Sequence, residues 1–142
     1  DVDDVRVLGP GESVCVADSC NHRIQIFDAR GKFLRLYGKP GSNPGELSYP
    51  YDIKVDALGF QYVCEFGNSR VSVFDSKDSL VEVLGRAGRE PGEFFNPWSV
   101  CLDGQGNLYV ADSQNHRVQK FRRREPLKPR PTESKSTQTG RQ

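Results

Sequence analysis

Val16-Ala17-Asp18-Ser19-Cys20-Asn21-His22-Arg23-Ile24-Gln25-Ile26-Phe27 returns as Val110-Ala111-Asp112-Ser113-Gln114-Asn115-His116-Arg117-Val118-Gln119-Lys120-Phe121, and a diverged copy, Val63-Cys64-Glu65-Phe66-Gly67-Asn68-Ser69-Arg70-Val71-Ser72-Val73-Phe74, lies midway between them. The register is 47 residues, the spacing of Asp18 to Glu65 and of Glu65 to Asp112. Self-similarity at such a period decides the architecture before any single residue does. Asn21, Asn68 and Asn115 share a column, as do Arg23, Arg70 and Arg117, and Phe27, Phe74 and Phe121. Farther out, Gly38 matches Gly85, Pro44-Gly45-Glu46 matches Pro91-Gly92-Glu93, Pro50 matches Pro97, Asp56 matches Asp103 and Gly59 matches Gly106.

Within each unit, apolar and polar residues alternate in short runs bounded by Gly, Pro, Asn and Asp, which is the period of strands. The central unit holds four such runs, at 52–55, 62–65, 71–74 and 81–84. Asp56-Ala57-Leu58-Gly59 and Asp103-Gly104-Gln105-Gly106 read as hairpin turns between first and second strands. Between second and third strands, Asp18 is expected to close an Asx turn, Asn21 to take the left-handed backbone, and Arg23 to pair with Asp18. The Gly- and Pro-rich stretch 38–50 leaves no room for another strand and must cross to the next unit. A four-stranded antiparallel unit repeated every roughly 40 to 50 residues is a β-propeller blade, which buries both faces only by stacking on neighbours. The fold class expected is all-β, a partial propeller with units at 1–48, 49–95 and 96–121, followed by a disordered basic tail at 122–142.

The 142 residues are 35% hydrophobic and 27% charged with a net charge of +1, which supports a core and points to neither a nucleic-acid nor a membrane partner. Charge is uneven: residues 1–121 carry 13 Lys and Arg against 17 Asp and Glu, whereas 122–142 carry 7 against 2. No run approaches the roughly 18 to 20 apolar residues of a membrane-spanning helix. A start at Asp1 and the lack of Met suggest a fragment or a processed chain, so the sequence names no compartment. Cys15, Cys20, Cys64 and Cys101 lack the CxxC spacing of a zinc site and are expected to be mostly buried thiols. A bridge between Cys15 and Cys20 is the lesser alternative.

In the two segments quoted first, and in the pairing of Gly-x-x-Gly before Pro-Gly-Glu-Leu/Phe with Asp-x-x-Gly before the second strand, residues 4–121 resemble the NHL-repeat family, named for an Asn-His-Leu-like triplet. The central unit departs from the pattern, with Ser69 in the His column. The wording at 49–52 and 60–65 resembles exported bacterial members more than animal ubiquitin ligases. The resemblance implies a six-bladed propeller, with relatives that bind protein partners, that bind RNA among tripartite-motif ubiquitin ligases, or that catalyse peptide amidation as a lyase. Fold does not choose among these. The three units offer eleven strands, counting a ragged first one near 5–8 and none after Phe121, where a closed six-bladed ring needs about twenty-four. Self-association or additional blades are expected to cover the end faces.

His22 and His116 stand in equivalent turns of non-adjacent blades and cannot meet at one metal, which needs three or four ligands. The columns Asp18, Glu65, Asp112, with Asn21, Asn68, Asn115 and Arg23, Arg70, Arg117, are read as structural positions of the turn. An acidic ring that holds a cation is the alternative. No Gly-x-Ser-x-Gly, phosphate loop or dinucleotide fingerprint occurs, so no catalytic, cofactor-binding or metal residue is assigned and no cofactor is expected. Tyr51 and Trp98 share a column after the prolines that open the first strand, and suit either a recognition surface at the propeller mouth or packing between blades. Arg122, Arg123 and Arg124 offer charge to an anionic partner or serve as a solubilising cap. The function expected is a non-catalytic scaffold for protein interaction or ligand binding, with nucleic acid disfavoured by the acidic body. The alternatives are a piece of a larger amidating-lyase-like enzyme or of an RNA-binding member.

Overall fold

The computed structural model describes the backbone of Asp4–Val7 and, in full, residues 13–128. Strands β1 (Asp4–Val7), β2 (Ser13–Asp18), β3 (Arg23–Asp28) and β4 (Phe33–Tyr37) form a first antiparallel sheet. A second holds β5 (Pro50–Val55), β6 (Gln61–Glu65), β7 (Arg70–Phe74) and β8 (Leu80–Leu84). The third has β9 (Ser99–Leu102), β10 (Leu108–Asp112) and β11 (Arg117–Phe121). Within each sheet, strands that are neighbours in the chain pair with one another, and the helical turns among the described residues are the three-residue 3-10 turns Ser19–Asn21 and Ser113–Asn115. The chain is thus all-β, built of propeller-like blades whose sheets do not close into a ring.

The blades stack because successive side chains of a strand point to opposite faces, and in the central blade both faces are apolar. Val63 joins Cys15, Ala17, Ile24 and Ile26 of the first blade, while Tyr62 and Cys64 on the same strand join Val100, Leu108 and Val110 of the third. All of β6 is consequently buried. Each junction is plugged by one linker residue, Leu47 in the first and Phe94 in the second, both fully buried. Burial of such a side chain contributes about 1.5–3 kcal/mol. The plugs explain Gly38 and Gly85: both take positive φ, and a Cβ would stand 2.6 Å from Leu47 and 2.3 Å from Phe94.

The turns depart from the expectation in one respect. Asp18 makes no Asx turn, and the left-handed residue is the one after Asn21: His22 at φ 54°, with Ser69 at 49° and His116 at 52° in the same column. The 3-10 turn consumes the Asn in its last helical position and pushes the sign change one residue on. Asx turns form instead at Asp28, Asp56, Asp75 and Asp103. Each carboxylate there accepts the N–H groups two and four residues ahead, as Asp75 does from Lys77 and Ser79.

The third blade has no outer strand among the described residues, and the repeat shows why. Asp28 and Asp75 close the turn into β4 and β8, but their column holds Arg122, which accepts nothing. Lys32 and Ser79, which donate to those carboxylates, align with Pro126, which has no N–H. Residues 122–128 carry neither strand nor helix, yet Leu127 packs against the second core and Arg123 pairs with Glu82 of β8 at 2.8 Å. The rest of the expected tail, 129–142, lies outside the described residues. All four cysteines are free thiols, so Cys15 and Cys20 form no bridge. Only Cys15 and Cys64 are buried, which corrects the expectation for Cys20 and Cys101.

Candidate functional site

The repeated acid lies at the end of the second strand, facing the third, where donors of its own blade converge on it. Asp18 accepts from Asn21 Nδ2 at 2.9 Å, Arg23 Nε at 2.7 Å and Gln25 Nε2 at 3.0 Å. Glu65 accepts from Asn68 Nδ2 at 2.7 Å, Arg70 Nε at 2.7 Å and the Ser72 hydroxyl. Asp112 accepts from Asn115 Nδ2 at 2.9 Å, Arg117 Nε at 2.8 Å and Gln119 Nε2 at 3.1 Å. In the second and third blades a linker amide adds to this, Ser48 N–H to Glu65 and Phe95 N–H to Asp112. Burial raises the pKa of Asp18 and Asp112, but their hydrogen bonds outweigh it and hold both carboxyls below the ordinary range.

The remaining donors of the network reach the linker itself. Asn68 donates to Gly41 O and Asn115 to Gly88 O. Arg70 donates to the carbonyls of Ser42, Asn43 and Glu46, and Arg117 to those of Glu90 and Glu93. In the second and third blades the acid, Asn and Arg set therefore clamps its blade's incoming linker, with the carboxylate oxygens spent on donors. The column Gln25, Ser72 and Gln119 belongs to this network and was missed in the sequence. Its signal was a polar residue seven positions after each acid.

A second feature, made of aromatic rings, runs across the same end of the sheets. Tyr51 stacks on Phe66 at 4.4 Å and 18°, and meets Trp98 edge-on at 6.2 Å and 75°. Trp98 is 58% exposed and Tyr49 43%, and Tyr49 meets His22 edge-on at 4.5 Å. Tyr49 and Asn96, in one column, both hold φ 47°. Their N–H groups are pinned by acceptors on the preceding blade, His22 Nδ1 and Ser69 Oγ, each at 3.0 Å. The two readings of the Tyr51 and Trp98 column thus divide: Tyr51 is half-buried between its neighbours, whereas Trp98 presents most of its ring to solvent. Phe66, which takes the position of Ser19 and Ser113, was not singled out, although an aromatic in a turn of small polar residues was a visible sign. Of the three arginines, Arg123 is tied to Glu82, and Arg122 and Arg124 lie in the segment without strand or helix.

Comparison with known proteins places these observations in a family context. The model of the NHL repeat matches residues 3–27 and 94–121, the first and third units. Protein brain tumor of Drosophila melanogaster is 45% identical over 42 residues, which cover 30% of this chain and 4% of that protein. A crystal structure of a protein of unknown function from Bacteroides caccae superposes with a TM-score of 0.62 at 18% identity, over 86% of this chain and 42% of that one. The latter likeness speaks for the fold alone. The chain spans less than half the length of either protein.

Proposed function

We propose that this chain, which carries NHL repeats, is a non-catalytic interaction scaffold whose partner-binding surface is the aromatic belt formed by Tyr49, Tyr51, Phe66 and Trp98. The observation that carries this reading is the division of labour among the repeat's side chains. In the second and third blades the polar columns are occupied in clamping linkers, whereas Trp98, the residue before β9, is held by its backbone N–H to Ala111 O, at 3.0 Å, and is largely exposed. Rigid aromatic rings supply contact area at low entropic cost, which is why they dominate the energetics of protein interfaces. The belt favours a protein segment over a nucleic acid. Among the described residues the one cation over a ring is Lys120 over Tyr109, outside the belt, and a strand of phosphates needs basic neighbours.

Trp98 is the sole tryptophan, so its emission reports directly on occupancy. Peptides selected from a random library on the immobilised chain should shift that emission on titration. Trp98→Ala, scored by calorimetry, should weaken their binding by about tenfold or more, as for a central aromatic anchor. Selected peptides that bind without moving Trp98 emission, or a homopolymeric RNA that binds with a steep salt dependence, would place the working surface elsewhere.

A further inference from the structure

We propose that the open face of the third blade docks a second copy of this chain, whose first blade stacks on it as the second and third blades stack on their predecessors. The repeat identifies the face. Tyr109, Ala111 and Val118 occupy the columns of Tyr62, Cys64 and Val71, which the third blade covers, and of Cys15, Ala17 and Ile24, which the second covers. Ile24 and Val71 are fully buried, but Val118 is 69% exposed. The face is a third instance of an established junction, continuous with the two that are filled.

The polar latch of the junction is present as well. His22 and Ser69 each accept a backbone N–H from the following linker, and Ser19 Oγ donates to Pro50 O at 2.6 Å. In the third blade the equivalent His116 is exposed, and among the described residues no hydrogen bond reaches its ring. Ser113, the equivalent of Ser19, turns back to Ala111 O at 3.3 Å. Lys120 stands where Val73 and Ile26 are buried, but it folds over the Tyr109 ring toward Asp103, so its charge has a partner and does not bar the face.

The occupant is set by the face at the other end of the stack. Phe74 of the second blade and Phe121 of the third pack backward onto the preceding blade. In the first blade that column holds Phe27, which meets Phe33 edge-on at 5.8 Å, and Phe33 is 48% exposed. One end of the molecule thus offers the surface that the other end lacks. The contact is heterologous, and such contacts form rings when the rotation closes. Two copies bring twice the eleven strands of the described residues, against the roughly twenty-four of a six-bladed ring.

Sedimentation equilibrium on the 142-residue chain should show a dimer at high micromolar concentration. Val118→Glu and Phe33→Glu, each on an exposed side chain, should raise the dissociation constant by about tenfold or more, as an unpaired charge does in a junction. His116→Ala should weaken association without changing the circular dichroism of the monomer. The decisive arm mixes the two Glu variants. Each retains the face that the other has lost, so one junction is restored and a heterodimer should reappear. A wild-type chain that stays a monomer, dimers that survive both substitutions, or a mixture that does not associate would each overturn the proposal.

Discussion

Glu65 shows how much a single column of the repeat can matter. Its carboxylate is fully buried and Arg70, with its side chain 11% exposed, is its charged partner. Removal of one member of a buried pair leaves an uncompensated charge, so Arg70→Ala should destabilise the chain by about 3 kcal/mol or more in urea unfolding. The equivalent Arg23→Ala should cost less than about 1 kcal/mol, because Arg23 and Asp18 are 36% and 14% exposed and water screens the pair. Equal losses at the two sites would show that the acid–arginine pair does not draw its strength from burial. Asp103 makes a pH prediction of the same kind. Hydrogen bonds from the Asn107 side chain above all, then from the N–H groups of Asn107 and Gln105 and the Tyr109 hydroxyl, push its pKa from 3.8 down to about 2. A folded-state pKa below the unfolded one stabilises at higher pH, and this contribution drains away as pH falls from about 4 to about 2. Asp103→Asn should flatten the acid limb of the stability curve in that window and leave its shape above pH ~5 unchanged.

At the scale of elements, the Asx turns decide which strands exist. Asp75 is nearly buried, and its carboxylate accepts both Lys77 and Ser79 N–H, which turns the chain from β7 into β8. Asp75→Ala should destabilise by about 1–3 kcal/mol, the cost of part-buried donors left without their acceptor. The amides of Lys77 and Ser79 should lose protection from hydrogen exchange before those of β5 and β6. Uniform loss of protection across the blade would mean that the turn is not a separate unit. The third blade is a natural version of this experiment, with Arg122 and Pro126 in the two columns on which the turn depends.

At the scale of the molecule, the central blade is, among the described residues, the only one covered on both faces by other blades. The burial of β6 along its whole length should make the amides of Gln61–Glu65 the slowest to exchange. Those of β4 and β11, at sheet edges with exposed faces, should be the fastest among the strands. A molecule in which all three sheets exchanged at one rate would be a single cooperative unit, and its end blades would owe their stability to more than stacking on the centre.

The 47-residue period and the two-residue alternation were enough to read the blades, the strand positions in the central unit and the pairing of Asp18 with Arg23. Such features arise from local chain geometry and from identical side chains recurring at identical places. The count of strands, with none after Phe121, marked the third unit as lacking its outer strand. Tertiary structure alone decided what the columns do for one another. That Asn and Arg reach past the acid to the linker carbonyls depends on how the linker folds back, and no spacing in the sequence encodes that path. Tyr51 and Trp98 stood in one column and looked interchangeable, yet one is packed between neighbours and the other faces solvent. Exposure is set by what stacks next to a residue, and Tyr51 has Phe66 and a following blade beside it, whereas Trp98 lies on the third blade, which no following blade covers among the described residues.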